Sequence, residues 1–239
     1  MVNNAIDHSE GRHLALTVLS KDGTTMLWVS DDGIGIFRKI AKALALPDDR
    51  LALLELAKGK FTTNPREHTG EGVFFSSRVF DFFHIASGGL VFDHSAEHDK
   101  DLLTETPPGR DLAGTTVLMS IKNASRRTLK QVFDAFSSGP DEYSFAKTIV
   151  PVRLARIGNE NLISRSQAKR LMLRVEGFRH VVLDFASVPI IGQSFADEVF
   201  RVFALRYPDV ELVAIHAVPA VQQMIRRAQV AHDNFLADQ

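Results

Sequence analysis

The chain has 239 residues, 45% hydrophobic and 24% charged, with a formal net charge of -1, which suits one large globular domain or two small ones. So balanced a charge creates no global field to attract nucleic acid or an anionic membrane. The chain contains no cysteine, which excludes disulfides, thiolate metal sites and a cysteine nucleophile.

No apolar run approaches the roughly 20 residues a membrane helix needs. Met1 to His8 lacks the basic region and apolar core of a signal peptide. A cytoplasmic protein that neither enters a membrane nor binds nucleic acid through these residues is expected.

Taken in chain order, His13 to Leu19 is rich in strand formers, Lys21-Asp22-Gly23 makes a turn, and Thr25 to Val29 reads as the returning strand. Asp31-Asp32-Gly33-Ile34-Gly35 breaks the pattern at that strand's end. Helices are expected from Phe37 to Leu46 and from Leu51 to Ala57. The polar stretch from Lys58 to Gly72 reads as a loop, and Val73 to Phe83 as a helix with an aromatic face. Strands follow around Ile85 and at Leu90 to Phe92, then a polar loop from Asp93 to Arg110, then a buried strand from Thr115 to Ile121.

Leu129 to Phe136 has the spacing of a short amphipathic helix, and Ser137-Ser138-Gly139-Pro140-Asp141 is the strongest boundary signal. Beyond it the pattern resets. Strands at Thr148 to Leu154, His180 to Phe185 and Val210 to Ile215 alternate with helices at Ser166 to Glu176, Ser194 to Leu205 and Pro219 to Ala228. That alternation suggests a small α/β sandwich with parallel neighbours. The expected division is 1–122, a connecting segment 123–143, and 144–239.

Four local motifs carry chemistry. In Asp31-x-Gly33-x-Gly35 a carboxylate can accept from an adenine amino group while glycines let backbone approach a ligand; the same residues also make ordinary turns. It is neither a Rossmann fingerprint nor a P-loop. His68-Thr69-Gly70-Glu71-Gly72 opens a helix whose free amides can cradle phosphate, with a plain glycine-rich helix start as the alternative. Asn3-Asn4-Ala5 closes a helix, and an Asn side-chain oxygen suits Mg²⁺ together with phosphate oxygens and water. Gly114-Thr115 leads into the strand at Val117, where Thr115 can hydrogen-bond near a base.

In this order and spacing the motifs resemble those of the gyrase, chaperone, histidine-kinase and mismatch-repair (GHKL) ATPases. Asn4-Ala5 looks like the family's Asn-box, Asp31, Gly33 and Gly35 its adenine-side box, Gly70 and Gly72 its phosphate-side box, and Gly114-Thr115 its last motif. The resemblance covers about residues 1–122 and implies a Bergerat-type ATP-binding domain, apparently without its first elements. It implies ATP held by Asp31, Gly33, Gly35, Thr69, Gly70, Gly72 and Thr115, with Mg²⁺ on Asn4. Phe37 to His68 falls where the family's ATP lid lies, so Lys58 and Lys60 are candidates to approach the γ-phosphate. Several members cleave ATP with a glutamate four residues before the Asn-box. That position precedes Met1, so no catalytic residue is assigned: the chain is a fragment, or it binds nucleotide without efficient cleavage.

From about Ser144 onward the chain resembles STAS-like domains, the class that includes bacterial anti-sigma-factor antagonists. Val181-Val182-Leu183-Asp184-Phe185, Val188-Pro189-Ile190-Ile191-Gly192 and the helix opened by Gln193-Ser194-Phe195 carry this likeness. Members often have Asp-Ser at that helix start, the serine being phosphorylated; here Gly192-Gln193 stands there. Ser194 is a substitute phosphoacceptor or, by the simpler reading, an N-cap.

Ser164 to Arg170 reads as a capped, solvated first turn. Asp197, Glu198 and Arg201 have the spacing of an ordinary helical ion pair. His94, Glu97 and His98 sit in a polar loop without an evident fourth ligand, so no metal is expected there. Hydrogen bonding is the expected role of His8 and His68.

Together these readings imply an α/β signalling protein that binds Mg-ATP and reports through a STAS-like domain to a regulatory protein partner, with kinase activity and homodimerisation left open. The alternative is a non-catalytic interaction module with a vestigial pocket.

Overall fold

The computed structural model describes residues 1–61, 70–97, 100–106, 112–139, 142–158 and 160–238. The chain forms two compact units, Met1–Ala135 and Phe136–Gln239. The fold is mixed α/β, as the sequence pattern implied. No described helix is long and apolar enough to cross a membrane.

The first unit is built on a six-stranded antiparallel sheet in the order β1-β2-β6-β3-β4-β5. Its strands are β1 (Leu14–Lys21), β2 (Thr24–Asp31), β3 (Phe82–Gly88), β4 (Leu90–Ser95), β5 (Lys100–Glu105) and β6 (Leu112–Lys122). The β1–β2 hairpin closes on Asp22 and Gly23, whose φ values of 50° and 75° are those of a turn matched to strand twist. Helices α1 (Val2–His8), α2 (Ile36–Ala43), α3 (Leu51–Lys58) and α4 (Gly72–Val79) accompany the sheet, and α5 (Leu129–Phe136) follows it.

Strand alternation produces the core. In register, Val29 of β2 faces Val117 of β6, which faces Ile85 of β3, which faces Phe92 of β4. All four are buried, with Phe37, Ile40, Leu53 and Leu56 from the helices.

The expected loop from Asp93 to Arg110 contains β5. Its sequence, Lys-Asp-Leu-Leu-Thr-Glu, shows no apolar alternation because Asp101, a carboxylate, is buried there beside Arg78 and His94. The boundary segment likewise contains a short hairpin of β7 (Ser137–Gly139) and β8 (Glu142–Phe145), while Pro140 and Asp141 lie outside the described residues.

The second unit has a three-stranded parallel sheet, β11-β10-β9, formed by β9 (Lys147–Pro151), β10 (His180–Asp184) and β11 (Glu211–Ile215). Parallel neighbours require crossovers. Helix α6 (Arg165–Met172) lies in the first. The second contains α7 (Gln193–Asp197), a π-helical stretch Glu198–Phe203 and α8 (Ala204–Arg206). Helix α9 (Pro219–Ala237) runs nine residues beyond the expected end at Ala228, and those residues are largely exposed. Helix α6 stops four residues before the expected Glu176; Arg174, at φ 64°, turns the chain into a short 3-10 stretch, Val175–Gly177. Val181, Leu183, Phe185, Phe195 and Val199 are among the side chains fully enclosed in this unit.

Candidate nucleotide site

At one end of the six-stranded sheet a polar row replaces the apolar ones. Asp31 of β2 pairs with Thr115 of β6, and Thr115 pairs with Ser87 of β3. One carboxylate oxygen of Asp31, Oδ1, accepts from the backbone N–H of Gly33 at 3.0 Å and of Thr115 at 3.2 Å. The Thr115 hydroxyl accepts from the Ile36 N–H at 3.0 Å, fixing the first residue of α2. Ser87 donates to the Gly114 carbonyl at 2.7 Å. Strand end, turn and helix start are thus held by a few short bonds.

Gly35 must be glycine. Its φ is 86°, and a Cβ there would meet Ser87 Oγ at 2.5 Å. Gly33 is turned away from this space: a Cβ on it would collide with the Ser9 carbonyl, and its contribution is the N–H given to Asp31.

Beside Asp31 opens a cavity of about 360 Å³. Asn4 and His8 of α1, Asp31, Gly35, Thr115, Gly70 and Gly72 all line it. The structure therefore brings together six of the eight candidate ligand residues from distant parts of the chain. Gly33 stands behind the wall, and Thr69, like His68, lies outside the described residues. Val29, Ile85 and Val117 from the sheet and Ile36, Ile40 and Val73 from helices form apolar walls. Apolar walls with a few convergent polar groups are the usual make-up of a small-molecule site.

Three further lining residues, Lys39, Phe61 and Met1, stand outside the four motifs. Lys39 of α2 donates to the His8 carbonyl at 2.5 Å and pairs with Glu10 at 3.1 Å, which places a cation at the end of α1. Phe61 lines the cavity and approaches Gly70 so closely that a Cβ there would lie 2.4 Å from its carbonyl carbon. Met1 lines it as well, and burial lowers the pKa of its amino group. No local pattern marks any of the three; each depends on which elements meet in space.

Neither lid lysine lines the cavity. Lys58 is 1% exposed and its ammonium lies 2.6 Å from Glu55, one turn back along α3. Lys60 is half-buried at φ 55°; burial lowers its pKa, with Glu71 opposing.

A second cavity, of about 670 Å³, lies beyond the Gly33 side of the turn. It is the larger, but the Arg50 guanidinium that lines it is already bidentate to Asp48 and bonded to Glu105. The first cavity leaves Asp31 Oδ2 as an acceptor without a donor among the described residues.

In the second unit, Ser194 is the second residue of α7, and the N-cap is Gly192. The expected N-cap role of Ser194 is thereby corrected. The chain passes so close to Ile163 that a Cβ on Gly192 would lie 2.7 Å from its Cα, so the cap position takes a glycine. Ser164 is a true N-cap: it accepts from the Gln167 N–H, and the Gln167 side chain accepts from the Ser164 N–H in return. Asp197 and Arg201 form the expected ion pair along the helix, joined by Arg165.

Residues 167–222 match the family model described as a STAS-like domain of unknown function (DUF4325). Within the C-terminal unit, residues 167–222 are thus similar to a STAS-like domain. No curated protein matches the chain. Among solved structures, the B-subunit of the DNA gyrase from Myxococcus xanthus aligns at 13% identity with a TM-score of 0.28, over 52% of this chain and 34% of that one. The chain spans about a third of that subunit's length.

Proposed function

We propose that the first unit binds ATP with Mg²⁺ in the manner of the GHKL ATPases, and that occupancy of the site biases a regulatory output of the STAS-like unit. The observation that carries this reading is the state of the Asp31 carboxylate. One oxygen is committed to two backbone N–H groups, the other has no donor among the described residues, and the residue lines an apolar-walled cavity. An acceptor-only group so placed suits the exocyclic amino group of adenine and repels the carbonyl that guanine and hypoxanthine carry at the same position. Val29, Ile85 and Val117 offer a flat apolar surface to a purine. Gly70 and Gly72 lead into α4, whose first amides are unpaired within the helix and favour phosphate.

The donor set fits Mg²⁺ as a companion of the nucleotide rather than as an independent resident. Among the described residues no group of three acidic or histidine side chains could hold a metal ion, whereas Asn4 lines the cavity. Mg²⁺ bound by one protein oxygen, phosphate oxygens and water is a common arrangement. When bound, the ion neutralises charge on the phosphates. Asn4 would hold it, and Lys39 places a cation at the same end.

Calorimetric titration with Mg-ATP, Mg-GTP and adenosine tests the reading. Binding of Mg-ATP, weaker binding of Mg-GTP, and in Asp31→Asn a weakened preference for Mg-ATP over Mg-GTP are expected. A folded chain that binds no adenine nucleotide at millimolar concentration would sink it. For the output, hydrogen exchange in residues 142–238 is expected to change on adding Mg-ATP.

A further inference from the structure

The apolar rows that build the first unit's core do not stop at β2. The row Val29–Val117–Ile85–Phe92 continues in register to Leu16 of β1. The four inner residues are at most 7% exposed, yet Leu16 is 53% exposed. The adjacent row, in which Leu27 faces Met119 and Met119 faces Phe83, continues to Val18, which is 60% exposed. Leu14 is exposed on the same side, and Ile6 of α1 is exposed as well. Every residue of β1 is exposed, and its outer edge pairs with no strand among the described residues. Natural edge strands are usually blunted by proline, a bulge, an inward charge or brevity. Leu14 to Ser20 has no proline and no charge, and its pairing with β2 is unbroken.

We propose that β1 is a homodimer interface, on which a second copy of this chain adds its own β1 antiparallel across a twofold axis through Leu16. Two features of the strand select a second copy over an unrelated partner. The first is its self-complementarity: about Leu16, the twofold sets Leu14 against the partner's Val18 and Leu16 against itself, all on the core-facing side. An isologous interface requires this kind of pattern. The second is charge. The same register sets Lys21 opposite the partner's Gly11, and Gly11 lies against Asp32, whose Oδ1 would be 2.6 Å from a Cβ built there. Asp32 Oδ1 also accepts from the N–H groups of Arg12 and His13. The His13 N–H and side chain and the Arg12 N–H together hold its pKa well below the usual carboxylate range, so a carboxylate already bonded to His13 stands near the lysine. A parallel arrangement would instead set Lys21 against Lys21. The sheet then runs continuously through both copies, and Leu14, Leu16 and Val18 pack beside their mates across the axis. This inference does not depend on nucleotide binding.

The absence of cysteine provides the test. Leu16→Cys introduces the only thiol, and at the axis its mate's Cα lies about 4.5–5.5 Å away, within disulfide range. Lys21→Cys is the control, since its mates would be separated by ten residues, or roughly 33 Å. We expect sedimentation of the unmodified chain to show a dimer. Mild oxidation should cross-link Leu16→Cys and not Lys21→Cys, and Val18→Lys should raise the dimer dissociation constant at least tenfold. All three altered positions are solvent-exposed, and circular dichroism checks that the fold is retained. A chain that stays monomeric at about 100 μM would overturn the proposal and leave the edge to another protein's strand. A dimer that neither cross-links at Leu16→Cys nor responds to Val18→Lys would overturn it equally.

Discussion

The Asp31 carboxylate accepts a hydrogen bond from the Thr115 backbone N–H at 3.2 Å, although 84 residues separate them in sequence. That bond joins the end of β2 to β6, and the carboxylate's second oxygen, on a residue that lines the cavity, has no donor among the described residues. Asp31→Asn can keep the structural oxygen as an amide carbonyl while turning the open acceptor into a donor. We expect the fold to survive and Mg-ATP to bind roughly 10- to 100-fold more weakly, the consequence of about 1–3 kcal/mol for a mispaired buried polar group. Calorimetry gives the affinity and circular dichroism the fold. Asp31→Ala removes both oxygens, so it should also lower the unfolding midpoint; equal affinity in all three chains would remove Asp31 from the site.

Gly70 and Gly72 look alike in the sequence but differ in their surroundings. Gly70 has φ 74°, and a Cβ there would sit 2.4–2.7 Å from the Phe61 backbone. Gly70→Ala must therefore displace Phe61, a cavity-lining residue, and should weaken every ligand of the cavity. A Cβ on Gly72 would meet nothing within 4 Å, and Gly72 is the first residue of α4. Gly72→Ala should leave stability unchanged or raise it by about 0.5–1 kcal/mol, yet impede phosphates approaching the helix amides. The expected signature is weaker Mg-ATP with unchanged adenosine, read by parallel titrations. Unchanged affinity for both ligands would move the phosphates elsewhere.

Much of the fold was legible because its signals are local. Asp22-Gly23 announces a hairpin, the period-2 rows of β3, β4 and β6 announce a sheet with one buried face, and strand–helix alternation after residue 143 announces parallel pairing. Strand β5 was hidden because its buried Asp101 is stabilised by Arg78 and His94, partners that no local pattern reveals. At the site, residues tied to backbone geometry stood out: Gly35 and Gly70 both adopt positive φ. Lys39 did not, because its place depends on the end of α1 coming to rest over α2, and Lys58 misled because an ion pair with Glu55 makes a buried lysine tolerable.

In the STAS-like unit, Ser164 and Gln167 close the start of α6 reciprocally. Ser164→Ala removes the cap and should cost about 1 kcal/mol. Gln167 matters more: it is buried, and its Oε1 accepts from the N–H groups of Ile163 and Ser164 while its Nε2 donates to the Asn161 carbonyl. Gln167→Leu keeps the bulk but leaves two backbone donors and one acceptor unmatched, so its loss should be about twice that of Ser164→Ala or more. Urea unfolding followed by circular dichroism ranks the two. The reverse order would mean that water replaces the Gln167 amide at little cost.

Acid should weaken the first unit through a buried triad. Arg78 of α4 is bidentate to Asp101 of β5, at 2.9 and 3.0 Å, and His94 Nδ1 lies 2.8 Å from the same carboxylate. Burial opposes ionisation of Asp101, but the Arg78 guanidinium and the hydrogen bonds from His94 and Arg78 outweigh it and hold its pKa well below the ordinary value. A carboxyl whose pKa is depressed on folding contributes stability that is complete above its unfolded pKa, about 3.9, and is lost as pH falls toward the folded value. Stability is therefore expected to be flat with respect to this group from pH 7 to about 5, then to decline from about 4 downward. Asp101→Asn leaves Arg78 buried without its counter-charge and should cost about 3–5 kcal/mol near neutrality, while flattening the acid decline. Trp28, the sole tryptophan, lies in β2 and reports on this unit. Its fluorescence during urea unfolding at pH 2.5, 4 and 7 measures both effects. If the two chains lose stability equally between pH 4 and 2.5, other carboxylates govern the acid response and the Arg78–Asp101 clamp does not.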